Sequence, residues 1–378
     1  MTMFDSLHSK SHRVVMAPDS FKGTMDARDV AAAMRKGWAA ERPQDHVTLA
    51  PMADGGEGTL EAFAFAYPTA KRCPITVQGP DNRNVQTEWL LLPDGRAVIE
   101  LASTSGITLI GTPDPLGAHT RGFGQAIRAA HAAGVNGMIL AVGGSCSTDG
   151  GVGALRELGA VFRDENGEEI ADGGAGLSHC MDVDLESLLD LPPNGVEVLC
   201  DVTNPLCGDL GAARVFGPQK GATEKDISFL DNALQQLVHA VSQHNQGAAK
   251  LAVTPGAGAA GGMAYGLLLW GAQIAAGSQA VGDALGLPGI ISSADMVITG
   301  EGRFDRQSAA GKVPSYILRL AALQGIPAAL VAGQIEGPVS GFTSSCSLLE
   351  LAGSAAEAMA SPGRWVVQAT AKIATQNR

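Results

Sequence analysis

Residues Arg13 to Gly23 read RVVMAPDSFKG, and this stretch decides the fold. Arg13 to Ala17 is short and apolar and ends at a Pro-Asp-Ser turn, which predicts a strand. Ala27 to Ala40 follows, with alanines and a methionine that favour helix. The same unit then recurs, since Val47 to Met52 leads through the loop ADGGEGT into the apolar helix Leu60 to Ala66. Two such units in succession imply parallel strands, because parallel neighbours need a crossover and a helix is the usual one.

The far end of the chain has the same texture. Met296 to Thr299 runs into the loop GEGRFD, Ser315 to Leu323 predicts a helix and Ala328 to Ala332 a strand. Between the ends lie charged, turn-rich segments such as Arg163 to Glu169 and Asp182 to Asp190. That middle part has strands of its own at Ala97 to Leu101, Met138 to Val142 and Val196 to Leu199. The prediction is an α/β protein of two domains. A Rossmann-like parallel-sheet domain comes from residues 1–72 plus 290–378, a second α/β domain is inserted at 73–289, and the active site is expected in the cleft between them. The length of 378 residues suits this, as domains usually run to about 100–200 residues.

Composition excludes several function classes. The chain is 45% hydrophobic and 17% charged, which argues for a large core and against disorder. Aromatic residues are only 4% and the net charge is −12, so neither base stacking nor attraction to a phosphate backbone is favoured. Nucleic acid is not an expected partner. The six cysteines form no C-x-x-C pair and have no histidine at zinc-finger spacing. Met1 to Arg13 has no apolar core of the secretory kind, so a cytoplasmic setting with reduced thiols is expected. Leu251 to Gly282 contains no charged residue, but Pro255 and its glycines break it, leaving one buried helix at Met263 to Ala276 rather than a membrane span. The oligomeric state is left open, a homo-oligomer included.

In open parallel sheets ligands bind beyond the carboxyl ends of the strands, so the loops there carry the candidate chemistry. Asp19, Ser20 and Lys22 put a carboxylate, a hydroxyl and an ammonium within four positions. Phosphoryl transfer uses such groups for charge neutralisation and alignment. Asp54, Gly55, Gly56 and Glu57 open a helix, where glycines let backbone approach a phosphate and carboxylates suit a bridging Mg²⁺. Gly143, Gly144 and Ser145 lead to Asp149 in a loop of the same kind. Asp201 and Asn204 stand at another strand end, where they can hold hydroxyls or form an Asx-type turn. Gly256, Gly258 and Gly261 fit G-x-G-x-x-G, but no second strand ending in an acidic residue follows, which weakens a dinucleotide reading. Finally, Glu301 and Arg303 precede Lys312, which lies just before a helix starting near Pro314, and the P-loop spacing is absent.

Taken in order, APDSFKG, ADGGEGT, IELASTSG at 99–106, the GGS…DGG loop, DVTNPLCG, PGAGAAGG and TGEGRFDRQSAAGK resemble the type I glycerate kinases. The resemblance runs from about Arg13 to about Gly333. One departure is visible: Cys146, Ser147 and Thr148 stand where alanine, threonine and asparagine are expected. The resemblance implies a two-domain α/β enzyme that uses ATP and Mg²⁺ to phosphorylate D-glycerate, with 2-phosphoglycerate as the associated product. Asp19, Lys22 and Lys312 are the expected catalytic groups, and Ser20, Asp201, Asn204 and Arg303 the expected substrate contacts. Gly55, Gly56, Gly143, Gly144, Ser145, Gly256, Gly258 and Gly261 are expected at the nucleotide, and Asp54, Glu57, Asp149 and Glu301 at the metal. The other readings are a kinase for another short hydroxy acid or one yielding 3-phosphoglycerate, a non-catalytic metabolite-binding regulator, and a nicotinamide-dependent oxidoreductase.

Overall fold

The fold is that of a computed structural model, which describes residues 11–305, 308 and 311–377. Met1 to Lys10, and Arg306, Gln307, Ala309 and Ala310 of the last motif, lie outside the described residues. The described chain separates into two compact units, residues up to Ala53 with Gly282 onward, and Asp54–Val281.

Strands are numbered along the chain: β1 Arg13–Pro18, β2 His46–Leu49, β3 Lys71–Gln78, β4 Asn84–Leu91, β5 Arg96–Glu100, β6 Gly137–Ala141, β7 Val161–Arg163, β8 Asp182–Asp184, β9 Val196–Leu199, β10 Gln273–Ala275, β11 Met296–Phe304, β12 Ala328–Ile335 and β13 Ser344–Ser347. The first unit holds a five-stranded sheet in the order β13-β12-β11-β1-β2, with every pair parallel. Val14 and Met16 point into one core with Met34, Trp38, Val331 and Ile373. The helices Ala27–Glu41 and Pro362–Gln376 pack together over that face. Burial on both faces explains the continuous apolar runs of β1 and β12, since a parallel sheet covered by helices has no wet side.

The second unit is built on a sheet ordered β10-β9-β6-β5-β4-β3. Its pairs from β10 to β5 are parallel, and β3, β4 and β5 form an antiparallel meander. The hairpin β3–β4 was not foreseen. Its signal is the alternating burial of β3 and the turn Gly79 to Asn82, where Asn82 takes a left-handed φ of 68°. The helix Thr59–Ala66 belongs here because it packs on β4 and β5.

Two local expectations are corrected. β11 does not stop at Thr299 but continues through the glycines to Phe304, paired with β12 as far as Ile335. A Cβ on Gly300 would lie 2.3 Å from the carbonyl oxygen of Val331, so the glycines permit close strand packing here rather than a loop. The expected helix Met263 to Ala276 instead ends at Trp270, where Gly271 adopts φ 99°, and the chain turns back into β10. Among the described residues no helix is long and apolar enough to cross a membrane.

Candidate active site

In the first unit the candidate groups collect at the carboxyl ends of β1 and β11. Pro18 and Gly300 are register partners, and the Asp19 N–H donates to the Gly300 carbonyl at 2.8 Å. A Cβ on Gly302 would come within 3.4 Å of the Lys22 backbone nitrogen, so the loop after β1 runs against β11. Asp19, Ser20 and Glu301 are buried, whereas Lys22 and Arg303 are exposed. Asp19 Oδ1 accepts from the Ser20 N–H at 2.7 Å. Arg303 is a strand residue whose Nη2 reaches Glu336 Oε2 at 2.6 Å. Lys312 is the N-cap residue of the helix Val313–Gln324, the crossover from β11 to β12.

The second unit offers a similar edge. Glu100, Ala141 and Leu199 are in register across β5, β6 and β9, so the loops after these strands leave the sheet side by side. The glycine loop after Asp54 joins them, because the Gly143 N–H donates to the Gly55 carbonyl at 3.0 Å. A Cβ on Gly143 would sit 2.6 Å from the Cα of Gly56, a separation that only two glycines allow. The 256–261 loop is also drawn in: the Gly258 N–H donates to the Asn204 carbonyl at 2.9 Å, and the Gly261 carbonyl accepts from Gly150 at 3.0 Å. Asp54, Glu57, Gly143, Gly144, Ser145, Asp201 and Gly256 therefore belong to one neighbourhood, and so do the loops that carry Asp149 and Asn204.

Several of these side chains hold the scaffold. Asp149 Oδ2 accepts from the Thr120 N–H, the Thr120 hydroxyl and the Gly153 N–H, and Oδ1 from the Gly151 N–H. Asn204 Nδ2 donates to the Leu210 carbonyl at 2.8 Å, stapling its own loop. Asp201 accepts the first two N–H groups of the helix starting at Gly277, at 2.8 and 3.1 Å. Burial, opposed by those donors and reinforced by the nearby Asp54 charge, lifts Asp201 to about 6.

Two titratable groups at this edge escaped the sequence reading. Glu100 ends β5 and accepts from the Leu60 N–H at 3.0 Å. Burial, with Glu57 and Glu61 adding repulsion, pushes it up to about 7. Lys220 sits in the turn Pro218–Lys220 and is 2% exposed, its Nζ donating to Ser145 Oγ at 2.9 Å and to the Ser147 carbonyl. A carboxylate ending an apolar strand was a usable signal for Glu100; a single lysine in the run Pro218-Gln219-Lys220-Gly221 gave little for Lys220. Cys146, the departure in this loop, is a buried filler whose Sγ contacts the Ser105 carbonyl at 3.2 Å and whose thiol is pushed up to about 12 by burial.

The glycerate kinase family model matches residues 14–378. The chain belongs to the glycerate kinase family. It is 41% identical over 332 residues to a glycerate 2-kinase of Escherichia coli K12, covering 86% of each chain. It is 39% identical to a glycerate kinase of Halalkalibacterium halodurans, covering 85% of each. A crystal structure from Salmonella typhimurium LT2, described as a candidate glycerate kinase 2, superposes with a TM-score of 0.79 at 36% identity, covering 97% of this chain and 98% of that one.

For a glycerate kinase family member the glycine pattern at 256–261 acquires a plain explanation. The residues before it form the helix Ala248–Ala252, not a strand, so the strand-turn-helix context of a dinucleotide fingerprint is missing. Its glycines instead admit the backbone of neighbouring loops, a Cβ on Gly258 falling 2.1 Å from the Pro205 carbonyl oxygen. The carboxylates differ in their fit to Mg²⁺. Asp149 is surrounded by protein donors and suits no cation. Asp54 and Asp201 flank the start of one helix and repel each other, which a divalent cation relieves.

Proposed function

We propose that this chain transfers the γ-phosphoryl group of ATP to the 2-hydroxyl of D-glycerate, giving ADP and 2-phosphoglycerate. The observation that carries the reading is the 41% identity, over 86% of both chains, to a glycerate 2-kinase. The two strand edges support it, because their loops supply ammonium, guanidinium, carboxylate and backbone N–H groups, the set that positions and neutralises a transferring phosphoryl.

In this reading Asp19 takes the proton from the acceptor hydroxyl as its oxygen bonds to the γ-phosphorus and the bond from that phosphorus to the β,γ-bridging oxygen breaks. Lys22 and Lys312 neutralise charge on the moving group, with Ser20 and Arg303 as further contacts. The glycines at 55, 56, 143 and 144 let backbone approach phosphate oxygens. Asp54 and Asp201 are the carboxylates for Mg²⁺, which supplies charge neutralisation on the nucleotide. The six free cysteines accord with a cytoplasmic, reducing setting.

The test is to incubate pure protein with Mg-ATP and a panel of short hydroxy acids, follow ADP, and identify the product by phosphorus NMR. D-Glycerate should give stoichiometric ADP and the 2-phosphate resonance. A 3-phosphate resonance overturns the regiochemistry, and no ADP with D-glycerate overturns the assignment. A cofactor-dependent absorbance change with a nicotinamide and a hydroxy acid would favour the oxidoreductase instead.

A further inference from the structure

Lys220 is the feature that the reading above leaves unused. It is 2% exposed, its two hydrogen-bond acceptors are both neutral, and no carboxylate forms an ion pair with it among the described residues. The acidic groups whose charge would act on it are Cys146 and Asp149. The first is held neutral by burial and the second already serves Thr120, Gly151 and Gly153. Its ammonium has three N–H donors, of which the protein takes two.

The loop that Lys220 binds, with its neighbour Ser105, holds further hydroxyl donors. Among the described residues the hydroxyls of Ser147 and Thr148, both fully buried, have no hydrogen-bond partner, and neither has that of Ser105, whose carbonyl accepts from the Cys146 N–H at 3.2 Å. Unmatched buried hydroxyls each cost on the order of 1–3 kcal/mol, and a buried ammonium with no carboxylate in ion-pair contact costs several more. A loop that needed only a brace would do better with an uncharged one. A buried ammonium bound to a glycine-flanked loop that carries unmatched hydroxyls offers instead the donor types of an oxyanion seat. Gly144, the residue before Ser145, is exposed, so the loop that Lys220 holds reaches the surface there.

We propose that Lys220 is a binding residue for an oxyanion of the reactants, with the hydroxyls of Ser147 and Thr148 as companion donors. The oxyanion is the carboxylate of the three-carbon acid or a phosphate of the nucleotide, which share this chemistry. The inference rests on the kinase reading and adds to it a cation from the second unit.

Calorimetric titration of Lys220→Met with D-glycerate alone, and separately with ADP alone, distinguishes the two sources. Affinity should fall at least tenfold for one ligand and stay within about twofold for the other. The ligand that loses affinity is the one that Lys220 holds. Binding of both within twofold of wild type, by a variant with a wild-type circular dichroism spectrum, overturns the proposal.

A second measurement needs no variant. Burial lowers the Lys220 ammonium to about 8, with Cys146 and Asp149 opposing, and a bound anion raises it again. Wild-type protein at pH 8.5 should therefore take up on the order of half a proton with the ligand concerned. Titration in two buffers of different ionisation enthalpy reads this, and no uptake with either ligand overturns the proposal even if the variant does not fold. ADP formation from D-glycerate by the wild type decides the kinase reading separately. If that activity is present while both Lys220 results are negative, only this inference falls.

Discussion

The Asp149 carboxylate grips Thr120 twice, its Oδ2 accepting the Thr120 hydroxyl at 2.7 Å and the Thr120 N–H at 2.9 Å. Thr120 Oγ1 in turn accepts from the Ala154 N–H at 3.0 Å, so the loop after β6 is clamped to the start of the helix Arg121–Ala132. Asp149→Asn places an amide N–H₂ group among these donors and should lower stability by about 2–4 kcal/mol in urea denaturation. The Mg²⁺ concentration dependence of turnover should not change. Wild-type stability in this variant would refute the scaffold role.

Glu100 makes stability depend on pH in a defined direction. Its folded-state pKa is raised from 4.5 to about 7, so across that range the folded chain keeps a proton that the unfolded chain has lost. Stability from this group is therefore present below pH 4.5 and declines as the pH rises towards 7. Glu100→Gln removes the dependence. The stability of the variant relative to wild type should improve by roughly 2–4 kcal/mol between pH 4 and pH 8, read from thermal unfolding at both values. A difference that is flat with pH contradicts the assignment.

The glycine loops can be probed by adding one methyl group. Gly143→Ala forces a Cβ to within 2.6 Å of Gly56 and should part the two loops, lowering kcat/KM at least tenfold. Gly58→Ala is the control: its φ is 90° but nothing lies within 4 Å of the new Cβ, so it should cost only about 1 kcal/mol from backbone strain. Equal activity losses in the two variants would show that loop contact is not what matters.

Lys22 and Arg303 are exposed, and their removal separates chemistry from stability. Lys22→Ala should leave the unfolding free energy within about 0.5 kcal/mol while kcat drops about a hundredfold or more. Arg303→Met breaks ion pairs with Glu336 and Asp305 at the surface, which should change stability by less than about 1 kcal/mol. A Lys22→Ala protein with wild-type turnover would remove Lys22 from the mechanism.

The sequence made β1, β11 and β12 visible because strands buried on both faces write themselves as unbroken apolar runs. It also made visible the order of the glycine loops that the family match bears out. The end of β11 was hidden, since glycines at 300 and 302 read as loop until the neighbouring backbone of Val331 is seen against them. Lys220 was hidden for a different reason. Its partners Ser145 and Ser147 are 75 and 73 positions away, and no local pattern encodes a contact that only tertiary packing creates.

β1 is an interior strand of its sheet, between β2 and β11, and the Ala17 carbonyl accepts from Thr299 across 282 positions. At translation speeds of about 5–20 residues per second, β1 waits roughly 15 to 60 seconds after its own synthesis for that neighbour. The contiguous stretch Asp54–Val281 has its whole sheet in hand well before then. A nascent chain stalled short of Met296 thus carries an open apolar strand edge, the form of polypeptide that chaperones capture and that aggregates when they do not.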